Sequence, residues 1–88
     1  MSTARLERIR ERLSSALDPI EMNIEDESHL HAGHAGAEDG RGHFRVIITS
    51  EQFRGISPLK RHRLVFDAVG DLMETDIHAL SIDAKPPA

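Results

Sequence analysis

Apolar residues at the start of the chain recur at the spacing of a helix. They lie three or four residues apart, and charged residues occupy most positions between them. The apolar set consists of Leu6, Ile9, Leu13, Ala16 and Leu17. This amphipathic pattern predicts a helix over about residues 3–17. Asp18-Pro19 is expected to end it, because a residue that precedes proline disfavours the helical conformation.

Two stretches further along alternate between apolar and polar residues. Apolar side chains occupy every second position over residues 20–24 and again over 44–48. Such alternation is typical of strands with one buried face. Residues 28–42, between them, hold four glycines and no sustained apolar period, which predicts a mobile loop. We therefore expect two consecutive strands paired as an antiparallel hairpin.

A second helix is predicted to begin at Ser57-Pro58, where a capping serine precedes a proline in the first turn. A short turn over Phe53–Gly55 comes before it. The predicted apolar stripe of this helix consists of Leu59, His62, Val65, Phe66, Val69, Leu72 and Met73. Lys60, Arg61 and Arg63 are expected on the opposite face, which most often is simply solvated.

The last apolar segment, Ile77–Ile82, predicts a third strand, followed by a flexible proline-containing tail over residues 84–88. A strand, a helix and a strand in succession form a crossover unit, so the third strand should run parallel to the second. The element order is helix, strand, strand, helix, strand. We expect a single α+β domain over residues 1–88, with a three-stranded mixed sheet packed on helices.

The composition limits the chemistry that this domain can perform. A chain of 88 residues can form one core but not a roomy buried cleft. It contains no cysteine, so by itself it offers neither a thiol nucleophile nor thiolate ligands for zinc or an iron-sulfur cluster. No apolar run is long enough for a membrane span and no signal peptide is apparent, so a cytoplasmic protein without membrane contact is expected.

Histidine is the residue type that points toward chemistry, since the chain has six. The predicted topology places the end of the first strand and the starts of the other two at one edge of the sheet. Five histidines should meet there: His29, His31, His34, His43 and His78. Mobile loop imidazoles would then face a fixed one, which would allow metal capture by two ligands.

Each histidine also has a structural interpretation. His78 shares its sequence parity with Leu80 and Ile82, so it could be partly buried and hydrogen-bonded. His62 lies on the predicted apolar stripe, where packing in the core is the simpler expectation. His43 could be a strand-edge residue without a task, and the loop histidines could be solvated.

Two or three imidazoles without a thiolate make an incomplete metal site. Rieske centres show that two imidazoles can ligate one iron of a 2Fe-2S cluster when thiolates hold the other. Here the thiolates would have to come from a partner protein or a small thiol. The lack of cysteine therefore favours a cluster shared in a heterocomplex over a cluster held by this chain alone.

Charge is unevenly distributed along the chain, whose net charge is −4. Residues 40–66 carry one acid, Glu51, against six Lys or Arg: Arg41, Arg45, Arg54, Lys60, Arg61 and Arg63. Arg54, Lys60, Arg61 and Arg63 are candidate contacts, either for an acidic partner surface or for nucleic-acid phosphates.

Several motifs in order resemble the BolA family over about residues 20–85. They are Glu27-Ser28-His-Leu-His31, His43-Phe-Arg-Val, Ser50-Glu-Gln-Phe53-Arg-Gly55, Ser57-Pro-Leu-Lys-Arg61-His62-Arg63 and Ile77-His78-Ala-Leu-Ser-Ile. The resemblance implies a KH-like type II fold, which agrees with the element order above.

The resemblance also implies a function. BolA-like proteins pair with monothiol glutaredoxins, and the mixed complex holds a 2Fe-2S cluster through glutaredoxin and glutathione thiolates and BolA imidazole. By position, the family's ligands fall on His78 and on His31, with His34 as a competing loop ligand. We therefore expect a non-enzymatic adapter in iron-sulfur cluster trafficking or iron and redox regulation. As a free protein it should be a monomer or a weak homodimer.

Some BolA-like proteins are DNA-binding transcriptional regulators, which is the main alternative. Residues 53–58 lack the GXXG loop by which KH domains clamp a nucleic-acid backbone, and the chain as a whole is acidic. A zinc or copper binder and a purely structural module are further alternatives. Ser28 and Ser57 lie at predicted loop and cap positions without an orienting base, which argues against a hydrolase.

Overall fold

A computed structural model describes residues 3–28 and 42–88 of the chain. Three helices and three strands occupy these residues, with a 3-10 turn at Glu51–Phe53 between β2 and α2. In chain order the elements are α1 (Thr3–Leu17), β1 (Glu21–Asp26), β2 (Gly42–Thr49), α2 (Pro58–Val69), α3 (Leu72–Thr75) and β3 (Ile77–Lys85).

The three strands form one mixed sheet in the order β1-β2-β3. β1 pairs antiparallel with β2, and β3 pairs parallel with β2. The predicted α+β class, the hairpin and the crossover are thereby confirmed. Because β1 is antiparallel and β3 parallel to β2, β1 ends at the edge of the sheet where β2 and β3 begin.

The core lies between the inner face of the sheet and the helices. Phe44, Val46 and Ile48 are buried on alternate positions of β2, as the period of two predicts. Helix α1 buries Ile9, Leu13 and Leu17, which are spaced by one turn. The remaining buried apolar side chains are Ile24, Phe53, Val65, Val69, Leu72 and Ile77.

The predicted apolar stripe of the second helix is wrong in part. Val65, Val69 and Leu72 are buried, but His62 is exposed, as are Leu59 at 63% and Phe66 at 39%. Arg61, Leu64 and Ala68, which the predicted stripe did not include, are partly buried instead, so the buried face of α2 is rotated relative to the prediction. His62 therefore does not pack in the core.

The second helix is also shorter than its apolar period suggests. It ends at Val69, where Gly70 adopts a φ of 53° and donates its N–H to the carbonyl of Phe66. Glycine suits this left-handed conformation because it has no Cβ. Leu72 and Met73 consequently belong to the separate helix α3. A single turn at Gly70 thus redirects the chain toward the start of β3.

The third strand extends three residues further than expected. Ala84 and Lys85, which we assigned to the flexible tail, pair with Ile48 and Thr49 of β2. Pro86 follows immediately, and it lacks the N–H that a further ladder bond would need. Among the described residues, no helix is long and apolar enough to cross a membrane.

Candidate functional site

The edge of the sheet where β2 begins is held by hydrogen bonds from backbone N–H groups to backbone and side-chain acceptors. The Ser28 hydroxyl accepts the N–H of His43 at 3.1 Å, and the N–H of Glu27 donates to the His43 carbonyl at 2.7 Å. Asp26 accepts the N–H of Ser28 at 2.9 Å. Both backbone polar groups of His43 are therefore tied to the end of β1, so His43 projects from a fixed point.

Gly42 allows this close approach. A Cβ at this position would lie 2.7 Å from the Ser28 hydroxyl oxygen and 2.7 Å from the Phe44 ring. The Gly42 N–H also donates to the carbonyl of Asp76 at 3.0 Å, which joins β2 to the residue before β3. A side chain at position 42 would force Ser28 and Phe44 away from it, directly beside His43.

A register shift places His78 on the outer face of the sheet. Gly42 pairs with Ile77, but His43 pairs with Ala79, so His78 is an extra residue on β3. Such a bulge changes the side on which the following residues project. Ile77 is consequently buried and His78 exposed, while Leu80 and Ile82 still pack against the core. The expectation that His78 shares the buried face of Leu80 and Ile82 is wrong for this reason.

The bulge brings two imidazoles together. The ring centroids of His43 and His78 are 5.2 Å apart, and the ring planes are inclined at 44°. His43 is half-buried and His78 is exposed. We define this as the histidine pair. Both rings project from strands, His43 from the start of β2 and His78 from the bulge at the start of β3, so the pair belongs to the folded framework of the sheet.

An ion-pair cluster anchors the start of β3, two residues before His78. The Asp76 carboxylate is 2.7 Å from Arg8 Nη2 and 3.2 Å from Arg5 Nε, and it accepts the Thr75 hydroxyl at 2.9 Å. Asp76 is only 7% exposed. The hydrogen bond from Arg8, with those from Thr75 and Arg5, lowers the pKa of Asp76 below its ordinary value despite burial. This ion-pair cluster thus connects the N-terminal half of α1 to the residue that precedes β3.

The other candidate metal ligands fall elsewhere. His31 and His34, like His29, lie outside the described residues. Within residues 3–28 and 42–88 there is no group of three or more His, Asp or Glu side chains that could hold a metal. The described part of the edge therefore offers two imidazoles, and further ligands must come from elsewhere.

Sequence reasoning placed His43 at this edge but did not include it among the metal ligands. The available signal was the topology, which puts the first residues of β2 and β3 side by side. What the topology does not reveal is the bulge that turns His78 toward His43. Neighbouring strands 4.7–4.9 Å apart, roughly, bring side chains on a shared face into contact.

The four basic candidates separate into two groups. Arg54 donates to both carboxylate oxygens of Glu51, at 2.8 and 3.0 Å, and to the Pro87 carbonyl. The hydrogen bond from Arg54 lowers the pKa of Glu51. Arg61 donates to the carbonyls of Ile56 at 3.1 Å and Ala84 at 3.4 Å. Both guanidinium groups thus have intramolecular acceptors.

Lys60 and Arg63 differ, because both are exposed on α2. Neither forms an ion pair with another residue of the described segments. At helical spacing, Arg63 lies between the exposed side chains of Leu59 and Phe66. We call Leu59, Lys60, Arg63 and Phe66 the outer face of α2. It combines positive charge with exposed apolar area.

Two depressions in the sheet lie at the end opposite the histidine pair. Glu21, Thr49 and Lys85 line both, together with residues of β1 in one and of the C-terminal segment in the other. Neither contains a histidine or serine.

The chain is similar to proteins of one family over most of its length. A family model described as BolA-like protein matches residues 13–88. Protein BOLA1, chloroplastic, of Arabidopsis thaliana is 46% identical over 87 residues, which cover 96% of this chain and 54% of that protein. The DNA-binding transcriptional regulator BolA of Escherichia coli is 37% identical over 76 residues, 86% of this chain and 70% of that protein.

A solved structure supports the fold as well. The BolA domain of SufE1 from Arabidopsis thaliana has a TM-score of 0.85 and 48% identity, covering 96% of this chain and 93% of that domain. The curated SufE-like protein 1 is 49% identical over 86 residues, which are 92% of this chain and 23% of that protein. The chain thus spans from about a quarter to about half of the length of these two plant proteins.

Proposed function

The chain belongs to the BolA family, and from that premise we propose that it is a non-enzymatic adapter, acting in the cytoplasm, that binds a monothiol glutaredoxin. In this complex it would co-ligate a glutathione-dependent 2Fe-2S cluster through His78. The observation that supports the proposal best is the exposed position of His78, on a strand whose start is anchored by Asp76. An exposed imidazole on a fixed strand can reach a group held by another protein.

The donor set fits such a cluster. A neutral imidazole is an established ligand for one iron of a 2Fe-2S centre when thiolates hold the other. Because this chain has no cysteine, the thiolates would be those of the glutaredoxin and glutathione. His78 would be the fixed ligand from this chain, with His31 or His34 as the second imidazole. The bound cluster would be the cargo for delivery or the signal for iron and redox regulation.

The outer face of α2 supports docking of an acidic partner. Lys60 and Arg63 supply positive charge in a chain whose net charge is −4, and Leu59 and Phe66 supply exposed apolar area beside them. Opposite charges steer association and fix orientation, and apolar contacts contribute affinity. The contribution of the charges should weaken as salt is added.

The test is anaerobic reconstitution with a monothiol glutaredoxin, iron, sulfide and glutathione. We expect the visible absorbance and circular dichroism of the mixed complex to differ from those of the glutaredoxin homodimer. His78→Ala should abolish or strongly change that mixed spectrum, because one ligand is removed. His62→Ala is the matched control, since His62 is exposed on α2 away from the sheet edge, and it should leave the spectrum unchanged.

An unchanged spectrum and cluster lifetime in His78→Ala would remove His78 from the ligand set. The complex should also weaken in mild acid, because imidazole binds metal only when neutral and ordinarily titrates near pH 6.5, roughly. A mixed complex equally stable at about pH 5.5 and pH 7.5 would argue against imidazole ligation.

The second candidate function is DNA-binding transcriptional regulation. It is supported by the exposure of Lys60 and Arg63 and by the name of the Escherichia coli relative. Arg54 and Arg61 already donate to intramolecular acceptors, so only their remaining guanidinium N–H groups could contact phosphate without breaking those bonds. If no mixed cluster forms, salt-dependent binding to a specific duplex becomes the deciding assay. Equal binding to specific and scrambled duplexes would contradict sequence-specific regulation of transcription.

A further inference from the structure

We propose that His43 and His78 form a two-imidazole chelate for a single divalent transition-metal ion of the zinc type, and that the folded chain offers this chelate without any partner. The inference goes beyond the proposed function, because it requires neither a glutaredoxin nor a cluster. It shares only His78 with that function and adds His43 as a ligand.

The separation of the two ring centroids allows one shared metal ion, provided that one nitrogen of each ring faces the other ring. A zinc-nitrogen bond of about 2.0–2.1 Å, plus about 1.1 Å from the nitrogen to the ring centre, puts a metal about 3.2 Å from each centroid. At a tetrahedral angle of about 109°, the two centroids would then be about 5.2 Å apart. The observed distance is 5.2 Å. The 44° between the ring planes also distinguishes the pair from two rings stacked in parallel.

The protein backbone holds both ligands in place before a metal arrives. The N–H and carbonyl of His43 are bound to Ser28 and Glu27, and the Gly42 N–H is bound to the carbonyl of Asp76, two residues before His78. Sites on strands with hydrogen-bonded supports are more precise than sites on loops. Little ordering of the backbone is therefore needed when a metal binds.

The donor set determines which metals should bind. Imidazole suits zinc, copper and nickel, whereas magnesium and calcium prefer oxygen ligands. Since the described residues contain no group of three potential ligands, water or an added small ligand would complete the coordination. His78 would then be a ligand either of the single metal ion or of the 2Fe-2S cluster. A chain with a metal ion in the chelate could not use His78 for a cluster.

The experiment uses the full chain without an affinity tag, in a background that carries His29→Gln, His31→Gln and His34→Gln. This background leaves His43, His62 and His78 as the histidines. Zinc is titrated in competition with a chromophoric indicator at about pH 7.5, where imidazole is mostly neutral. We expect one zinc per chain, with affinity that excess magnesium does not reduce.

Further substitution in this background identifies the ligands. His43→Ala and His78→Ala should each weaken zinc binding at least about tenfold, and His62→Ala, the matched control, should leave it unchanged. Circular dichroism verifies that each variant is folded. His43→Gln is a second variant at the half-buried position, and it should weaken binding to a similar extent.

A direct measurement in the unsubstituted protein complements the variants. Zinc should shift the ring-nitrogen resonances of His43 and His78 but not those of His62. Zinc binding that survives His43→Ala, or a background protein that binds no zinc, would overturn the proposal and leave the pair as an aromatic contact. Since no glutaredoxin is present, failure here is distinct from failure of the cluster-sharing function.

Discussion

At the scale of single residues, Asp76 connects the stability of the protein to its site. It is the buried acid of the described segments, it accepts hydrogen bonds from two arginines of α1, and its own carbonyl accepts the N–H of Gly42. A buried carboxylate is tolerated only when it is paired and hydrogen-bonded. Asp76 therefore fixes the start of β3, two residues before His78.

Asp76→Asn should lower the free energy of unfolding at neutral pH by about 1–2 kcal/mol, because the charged hydrogen bonds to partly exposed arginines are weakened. The pKa of Asp76 is depressed in the folded state. Its contribution is therefore fully present above the ordinary carboxyl pKa and is lost as pH falls through that value toward the folded one. The difference between wild type and variant should shrink below about pH 4.

Urea unfolding at several pH values measures this difference. Asp67→Asn is the control, since Asp67 is an exposed carboxylate on α2, and it should have little effect at any pH. A gap between wild type and Asp76→Asn that persisted undiminished at about pH 3 would contradict the role assigned to the ionised carboxylate.

At the scale of elements, the orientation of α2 separates packing from binding. Its inward side supplies Val65 and Val69 to the core, and its outward side presents Leu59 and Phe66 to solvent. Arg12 of α1 donates to the carbonyl of Val69 at 3.1 Å and pairs with Asp71 at 2.9 Å. This contact ties the end of α2 to α1, so the helix is held in its observed rotation.

Two leucines of the predicted stripe, Leu72 on α3 and Leu59 on α2, provide a matched comparison of a buried and an exposed position. Leu72→Ala should cost about 2–5 kcal/mol of unfolding free energy, because its buried methyl groups leave a cavity. Leu59→Ala should change stability by less than about 0.5 kcal/mol, because its side chain is 63% exposed. Thermal or urea unfolding checks both. Equal losses would show that Leu59 is buried in solution.

At the scale of the whole molecule, β2 is the central strand of the sheet and a main contributor to the core. It is hydrogen-bonded to β1 on one side and to β3 on the other, and it contributes three of the buried core residues. The α1 arginines and Asp76 additionally bridge positions 71 and 68 residues apart in sequence. The start of β3, and therefore the histidine pair, depends on contacts from both halves of the chain.

The amides of β2 should consequently be the slowest to exchange with deuterium. Opening β2 breaks two ladders and exposes the core, whereas β1 and β3 each lose pairing on one side. Hydrogen exchange followed by NMR measures this directly. Slower exchange in β1 or β3 than throughout β2 would contradict the central role of this strand.

The sequence by itself predicted α1, β1, β2, α2 and β3, with their order and their pairing, but it merged α3 with α2. Helical and strand periods are local properties, and they placed α1 and β2 accurately because each has one buried face. The parallel arrangement of β3 followed from the handedness of crossover connections. The BolA resemblance indicated His78 as a site residue, and topology placed His43 at the same edge.

Only the tertiary structure decided which way the decisive side chains point. The bulge that exposes His78 arises from pairing between β2 and β3, and a shift of one residue exchanges the two faces of a strand. The rotation of α2 likewise depends on its contacts with α1, so the apolar period alone misassigned His62, Leu59 and Phe66. Arg54 and Arg61 found acceptors distant in sequence. Local sequence patterns indicate which helix or strand a residue belongs to. The register between strands and the packing of helices determine which way its side chain points and which residues it contacts.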